Sequence, residues 1–434
     1  MNHADKSINK KAGRRKAASV LPVFEFLEAI RNMKTMHIPI QTFCILVSFL
    51  ISAMAICLCA SDFPLPGADN ADGWEIHDGA TIENIGEGIA FCGPGYAFLQ
   101  YMPSYIALQR FRDCKGIGFR IKGDGKPHRI VVGLWEGRFR YSFMLEDAEW
   151  HDIRLAWSDF VNRTYDLSLK MGETGDNGIP PVGFARIMLG DDWQLYHANT
   201  HIAPYTVEIA DLRLLEEIVP ADRIRSYPQR PLEEALEKMR SGNRVLVVCN
   251  GDSITAGTGV DEGRYANLLQ KMLREHFGNP LIEVKTIAVG GASTRDLRVW
   301  ARSDYADSEK PDLATLMIGY NDRCWYNAST EAYKAGLDDL CARINYHTQG
   351  APLVLFTPAP GTGECYGLLG PYAVATREVA AKRGLPLFDL NAILSQKGYD
   401  ALCGLYFDRA HPNAEGHRII AEELFRFLVS FTDK

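Results

Sequence analysis

From residue 244 to the C-terminus, short and almost wholly apolar runs alternate with stretches of helical periodicity. That alternation limits the fold more than any other feature of the chain. The first run is 244–249 (RVLVVC), followed by 282–289, 313–319, 352–357 and 385–389. A run without polar alternation suits a strand buried on both faces. Amphipathic stretches at 265–276, 331–345 and 371–382 lie between the runs. Strand–helix alternation of this kind predicts a doubly wound α/β domain, a parallel sheet with helices on both sides.

Residues 62–215 follow another rule. The segments 116–122 (GIGFRIK), 129–135 (RIVVGLW), 138–145 (RFRYSFML) and 151–157 (HDIRLAW) are short and rich in β-branched and aromatic residues. Gly, Asp and Pro punctuate them, and 204–214 (PYTVEIADLRL) reads as a closing strand. This predicts an all-β sandwich or jelly roll. Residues 216–243 hold Pro220, Pro228, Pro231 and a short charged helix at 232–239, and read as a linker between domains 62–215 and 244–434. A chain of 434 residues has room for both, and 47% hydrophobic with 23% charged residues is ordinary globular composition.

The first 61 residues differ again. A basic cluster (Lys10, Lys11, Arg14, Arg15, Lys16) and then Arg31 and Lys34 precede an uncharged run, 42–60 (TFCILVSFLISAMAICLCA). As a helix it would nearly span a bilayer. No Lys or Arg follows until Arg110, whereas Asp62, Asp69, Asp72 and Glu75 do. The charge bias puts the N-terminus in the cytoplasm and everything after about residue 61 outside. Both a cleaved signal peptide and an uncleaved membrane anchor fit. A net charge of −7 gives no sign of nucleic-acid binding.

In an open parallel sheet, sites form at the carboxyl ends of the strands. Four polar motifs fall near such ends: Gly251-Asp252-Ser253-Ile254, Gly290-Gly291-Ala292-Ser293, Gly319-Tyr320-Asn321-Asp322 and Asp408-Arg409-Ala410-His411-Pro412-Asn413. A serine hydroxyl needs a base within hydrogen-bond reach to become a nucleophile. A neutral imidazole accepts a proton near neutral pH. His411 can be that base for Ser253, and Asp408 can fix its tautomer. Pro412 suits the first position of the last helix. Asp252 reads mainly as a turn-former; Asp252, Tyr320 and Trp325 are candidates for the substrate cleft. Arg295 and Arg323 fit either the cleft or plain surface solvation.

These four blocks resemble those of the SGNH/GDSL hydrolase family, in order and over about 180 residues. The resemblance implies a flavodoxin-like sheet and an ester hydrolase that needs no cofactor and no metal. It also implies three oxyanion donors: the N–H of Ser253, the N–H of Gly291 and the side-chain amide of Asn321. Gly291 is preferred to Gly290 because it directly precedes Ala292, Ser293 and Thr294. Residues 150–160 and 207–214 resemble jelly-roll modules found beside carbohydrate-active enzymes. There Trp135, Tyr141, Trp193 and Tyr196 are candidates for sugar stacking or for plain core. The order of segments is similar to that of some bacterial carbohydrate acetylesterases, whose substrates are acetylated polysaccharides or oligosaccharides. A lipid esterase or thioesterase of the same fold, or a catalytically silent carbohydrate-binding protein, are the rival expectations.

Other features carry less. His77, His128, His151, His197 and His201 show no ligand spacing. Seven cysteines follow the apolar run without zinc spacing, and Cys92 with Cys114 is a candidate bridge. Asn162-Arg-Thr and Asn327-Ala-Ser fit the glycosylation pattern, a short triplet that recurs by chance.

Overall fold

The five apolar runs become the strands β1 (Val245–Gly251), β2 (Ile282–Ala288), β3 (Leu313–Met317), β4 (Leu353–Phe356) and β5 (Leu387–Phe388). All pairs are parallel, in the order β2-β1-β3-β4-β5. This is the doubly wound order, with its switch point between β1 and β3. The computed structural model describes residues 62–432 except 78, 95–96, 112, 135–136, 169–185, 191–203 and 221–223. The apolar run 42–60 and the candidates Trp135, Trp193, Tyr196, His197 and His201 lie outside the described residues. Among the described residues, no helix is long and apolar enough to cross a membrane.

β1 shows why its sequence lacks alternation. Val245, Val247 and Cys249 enter one hydrophobic core, and Leu246 and Val248 enter another. The helices divide in the same way. Those of the α/β region include α1 (Ser253–Ala256), α2 (Tyr265–Phe277), α3 (Thr294–Tyr305), α4 (Tyr320–Cys324), α5 (Thr330–His347), α6 (Gly370–Arg383) and α7 (Ala414–Val429). Side chains of α2 and α7 fill the first core, and those of α3, α5 and α6 fill the second. Each fully buried Leu or Val there contributes about 1.5–3 kcal/mol relative to exposure.

The segment read as a linker is partly structural. Its helix, Leu232–Arg240, places Leu232, Ala235, Leu236 and Met239 in the same core as Val245. The Asn279 amide ties the helix end down by donating to Met239 O at 2.9 Å and Asn243 O at 2.8 Å. The helix therefore belongs to the α/β layers, because its apolar face has the 3–4 spacing that the core accepts.

The described residues of 62–215 form two antiparallel six-stranded sheets around one core. Tyr205–Leu215 lies between Gly88–Gly93 and Gly116–Lys122 in one sheet. His128–Leu134 pairs with Phe139–Leu145 and with Ile187–Gly190 in the other. Alternation decides which side chains point inward. Ile117, Phe119 and Ile121 of one strand are all fully buried, and Tyr141 is also a core residue at 5% exposure. Cys92 and Cys114 are both free thiols, so the candidate bridge does not exist; Cys92 is exposed and Cys114 is sunk in the core.

The strand Phe139–Leu145 is buried on nearly every residue. One face serves the sandwich core; the other meets α3. Ser142 Oγ donates to Val299 O at 2.8 Å, and Met144 N donates to Asp307 Oδ2 at 3.1 Å. Arg129 pairs with Asp304, its guanidinium 5.0 Å from the Trp300 ring. α3 is consequently enclosed between its own sheet and the sandwich. It buries Asp296, Arg298 and Asp304 as well as Leu297, Val299 and Trp300. A helix enclosed all round needs partners for its polar groups, and the sandwich supplies several.

Candidate active site

β1 ends on Gly251, where a Cβ would come within 2.3 Å of Thr255 Oγ1 and 2.6 Å of Met317 O. Only glycine fits this tight turn. Asp252 then caps α1, accepting the Ile254 N–H at 3.0 Å, and Ser253 opens the helix. Asp252 is 1% exposed, so it does not line a cleft as expected; its carboxylate is spent on the cap. Burial pushes that carboxyl up to about 7, against the Ile254 hydrogen bond that lowers it, and the nearby charge of Asp322 raises it further.

The last motif forms a turn before α7. Phe407 N donates to His411 O at 3.1 Å, and Tyr406 bridges Pro412. Asn413 is the helix cap, accepting from Gly416 N at 3.0 Å. Pro412 therefore precedes the cap and does not occupy the first helical position; the bridge to Tyr406 uses it instead. The turn puts His411 beside Ser253. His411 Nε2 lies 2.9 Å from Ser253 Oγ, and His411 Nδ1 lies 2.8 Å from Asp408 Oδ2. With Nδ1–H donating to the carboxylate, Nε2 is left to accept the serine proton. Asp408 Oδ1 also accepts the N–H groups of Ala410 and His411, each at 2.7 Å. Burial by itself would raise the Asp408 carboxyl; the hydrogen bonds from the His411 ring and from the two backbone N–H groups outweigh it and hold the carboxyl below its usual range. The Phe407 ring stacks on the imidazole, 5.6 Å between centroids at 12°.

The other two motifs meet across the switch point. Gly291 follows β2 with φ +75°, in the left-handed region that favours glycine. The Asn321 amide at the start of α4 donates one N–H to Ala292 O at 2.9 Å, and the same NH₂ group carries a second N–H. Asp322, fully buried, accepts from Thr294 N at 3.1 and 3.2 Å and from the Thr294 hydroxyl. Burial pushes its carboxyl up to about 6 despite these donors. The structure thus brings together Ser253, His411 and Asp408, and stitches the Gly291 and Asn321 loops to each other.

The remaining candidates fall into place differently. Tyr320 is buried, its hydroxyl donating to Cys365 Sγ at 3.0 Å. Trp325 is 70% exposed. The Arg295 guanidinium lies 3.7 Å from the Tyr326 centroid and 5.6 Å from that of Tyr165, so it is packed between rings rather than solvated. Arg323 donates to Asn327. Among the described residues, no group of three or more His, Cys, Asp or Glu side chains could hold a metal ion.

Sequence reasoning missed Tyr165. It comes from the sandwich, and its hydroxyl donates to Asp322 Oδ1 at 3.0 Å. The Asn162-Arg-Thr triplet, read as a glycosylation pattern, builds the turn that presents it. Asn162 is 7% exposed; its Oδ1 accepts from Thr164 N and Oγ1, and its Nδ2 donates to Asp166 O. An Asn tied into its own turn in this way was the available signal.

Known proteins resemble parts of the chain. The acetylxylan esterase of Geobacillus stearothermophilus is 26% identical over 216 residues, covering 44% of this chain and 95% of that protein. The solved structure of LAE5, an alpha/beta hydrolase enzyme from the metagenome of Lake Arreo, Spain, is 27% identical, covers 43% of this chain and 95% of its own, and has a TM-score of 0.37. Elongation factor Ts of Tropheryma whipplei (strain Twist) is 29% identical over 135 residues, only 43% of that protein's length. Residues 249–419, which include every candidate from Asp252 to His411, match the GDSL-like Lipase/Acylhydrolase family, and this part of the chain is a domain of that kind.

Proposed function

We propose that the chain is an exported carboxylic ester hydrolase that removes O-acetyl groups from carbohydrates. The observation that carries this reading is the continuous hydrogen-bonded line Ser253–His411–Asp408. Ser253 Oγ attacks the ester carbonyl as His411 Nε2 takes its proton. The carbonyl oxygen becomes an oxyanion facing the N–H groups of Ser253 and Gly291 and the Asn321 amide. Collapse expels the sugar alcohol, protonated by His411, and leaves an acetyl-serine. Water, deprotonated by His411, attacks this ester and releases acetate.

The carbohydrate part of the reading is supported by the 26% identity to an acetylxylan esterase. It is supported as well by exposed rings near the motifs. Phe407, stacked on His411, is 50% exposed, and Tyr366 and Tyr399 meet edge to face at 4.6 Å, both partly open to solvent. Aromatic faces of this kind stack on sugar rings; they would also accept an acyl chain. Export, by cleaved signal or by an anchor through residues 42–60, is supported by the uncharged run and its basic flank.

Ser253→Ala is expected to abolish hydrolysis of para-nitrophenyl acetate while leaving the melting temperature unchanged. Near-wild-type turnover in that variant would sink the mechanism. A series of acyl lengths on the same alcohol separates the substrate readings: preference for acetyl supports a deacetylase, and preference for long chains supports a lipid esterase. Acetate release from acetylated xylan, mannan and pectin then identifies the glycan.

A further inference from the structure

We propose that Tyr165, supplied by the β-sandwich, is a positioning residue for the oxyanion donors of the α/β domain. The inference deepens the esterase reading and rests on it. It makes the sandwich a working part of the active site rather than an appended module.

The argument runs from the donors outward. Gly291 and Asn321 sit on separate loops, after β2 and after β3. Two links fix their separation: Asn321 Nδ2 to Ala292 O at 2.9 Å, and Asp322 to the N–H and hydroxyl of Thr294. Thr294 opens α3, three residues after Gly291, and Asp322 directly follows Asn321. Rotation of the Asp322 carboxylate therefore moves one donor loop relative to the other. Asp322 is fully buried, and its third donor is the Tyr165 hydroxyl at 3.0 Å.

The sandwich loop is built to hold that hydroxyl. The Asn162 turn fixes the backbone on either side of Tyr165. Arg298 Nη1 donates to Thr164 O at 3.4 Å, and Arg163 Nε donates to Asp296 Oδ1 at 2.8 Å. The Tyr165 ring lies 6.5 Å from that of Tyr326, with the Arg295 guanidinium against both. Asp296 and Asp322 are two buried carboxylates at the same end of α3, and one short sandwich loop supplies a donor to each. Burial favours the neutral form of Asp322, while the Thr294 and Tyr165 donors favour the ionised form that accepts from all of them.

The test uses the full-length chain with para-nitrophenyl acetate, comparing wild type, Ser253→Ala, Tyr165→Phe, Asp322→Asn and the Tyr165/Asp322 double variant. Phenylalanine keeps the ring packing and removes only the hydroxyl. Loss of a direct oxyanion donor costs about 100- to 1000-fold in kcat, so a displaced donor is expected to cost about tenfold or more. In Tyr165→Phe, kcat should fall by that factor with KM within twofold. Affinity for phenylboronic acid, which forms a tetrahedral adduct on the serine, should fall in parallel. Adding Tyr165→Phe to Asp322→Asn should change kcat by less than twofold, because the hydroxyl acts through that carboxylate. Unchanged kcat overturns the proposal. So does a rise in KM alone, which would make Tyr165 a substrate contact, or a double variant whose losses multiply. A kcat loss that merely follows the unfolded fraction at the assay temperature also counts against it. If wild type shows no Ser253-dependent hydrolysis, the esterase reading falls; if it does and Tyr165→Phe equals it, only the positioning role falls.

Discussion

The guanidinium of Arg163 meets the carboxylate of Asp296 at 2.8 Å, joining the β-sandwich to the first turn of α3. Asp296 has no solvent exposure, and its other oxygen caps the helix by accepting from Ser293 N at 3.0 Å and Ser293 Oγ at 2.7 Å. Breaking one side of a buried pair costs about 3–5 kcal/mol where the charge is left uncompensated; here the Arg295 guanidinium, 3.7 Å from the same carboxylate, keeps part of the compensation, so a loss of about 1–3 kcal/mol is expected. Arg163→Met should therefore lower the unfolding free energy by that amount, read from denaturant melts. A loss below about 1 kcal/mol would show that the pair does not hold the sandwich to α3.

Asp408 accepts three hydrogen bonds, from the His411 ring and from two backbone N–H groups. Asp408→Asn keeps an oxygen for the backbone donors but offers the wrong group, or a weaker acceptor, to Nδ1–H. The imidazole then loses its fixed tautomer and the stabilisation of its charged form. A fall in kcat of about 100- to 10,000-fold is expected, with little change in melting temperature. A variant within threefold of wild type would remove Asp408 from the mechanism.

The Asp252 carboxyl is raised to about 7 by burial, although it caps α1. A folded-state value above the unfolded one means a contribution that is fully present below the unfolded value of about 3.8 and lost as pH rises through about 7. Asp252→Asn keeps a cap oxygen and carries no charge. The variant should match wild type in stability near pH 4, gain on it between pH 4 and 7, and stay ahead by about 2–4 kcal/mol at pH 8. Denaturant melts at pH 4, 6 and 8 check this. An equal gap at all three values would mean that Asp252 does not titrate in that window.

The α/β domain was legible because its information is local. Apolar runs mark strands wherever both faces are buried, as Val245–Gly251 shows, and three of the four polar blocks stand at strand ends, the fourth just before α7. The final run was overestimated: residues 385–389 yield only Leu387–Phe388 as strand, because Asp389 turns out of the sheet to cap the next helix, accepting from Ala392 N at 3.3 Å. What the sequence did not reveal depends on contacts between distant segments. Arg163 and Tyr165 lie 133 and 157 positions from their carboxylate partners. No periodicity joins such residues, and Asp296 and Asp322 look in sequence like ordinary helix-start acids. Asp252 serves the turn, its main reading, and not the cleft; the second reading stayed open because a capping carboxylate and a substrate-facing one have the same sequence neighbourhood.

Asn321 bears the sharpest test of the oxyanion reading. One of its two amide hydrogens is committed to Ala292 O, so the side chain is oriented before any substrate arrives. A preoriented donor costs no reorganisation when charge develops on the carbonyl oxygen, and it stabilises the transition state more than the ground state. Asn321→Ala should accordingly lower kcat by about 100- to 1000-fold while KM moves little. Asn321→Asp should be no better, because a carboxylate presents a negative acceptor where a donor is needed. Steady-state kinetics on para-nitrophenyl acetate separate this from ground-state binding. If either variant raised KM and left kcat intact, Asn321 would hold the substrate and the developing charge would be stabilised elsewhere.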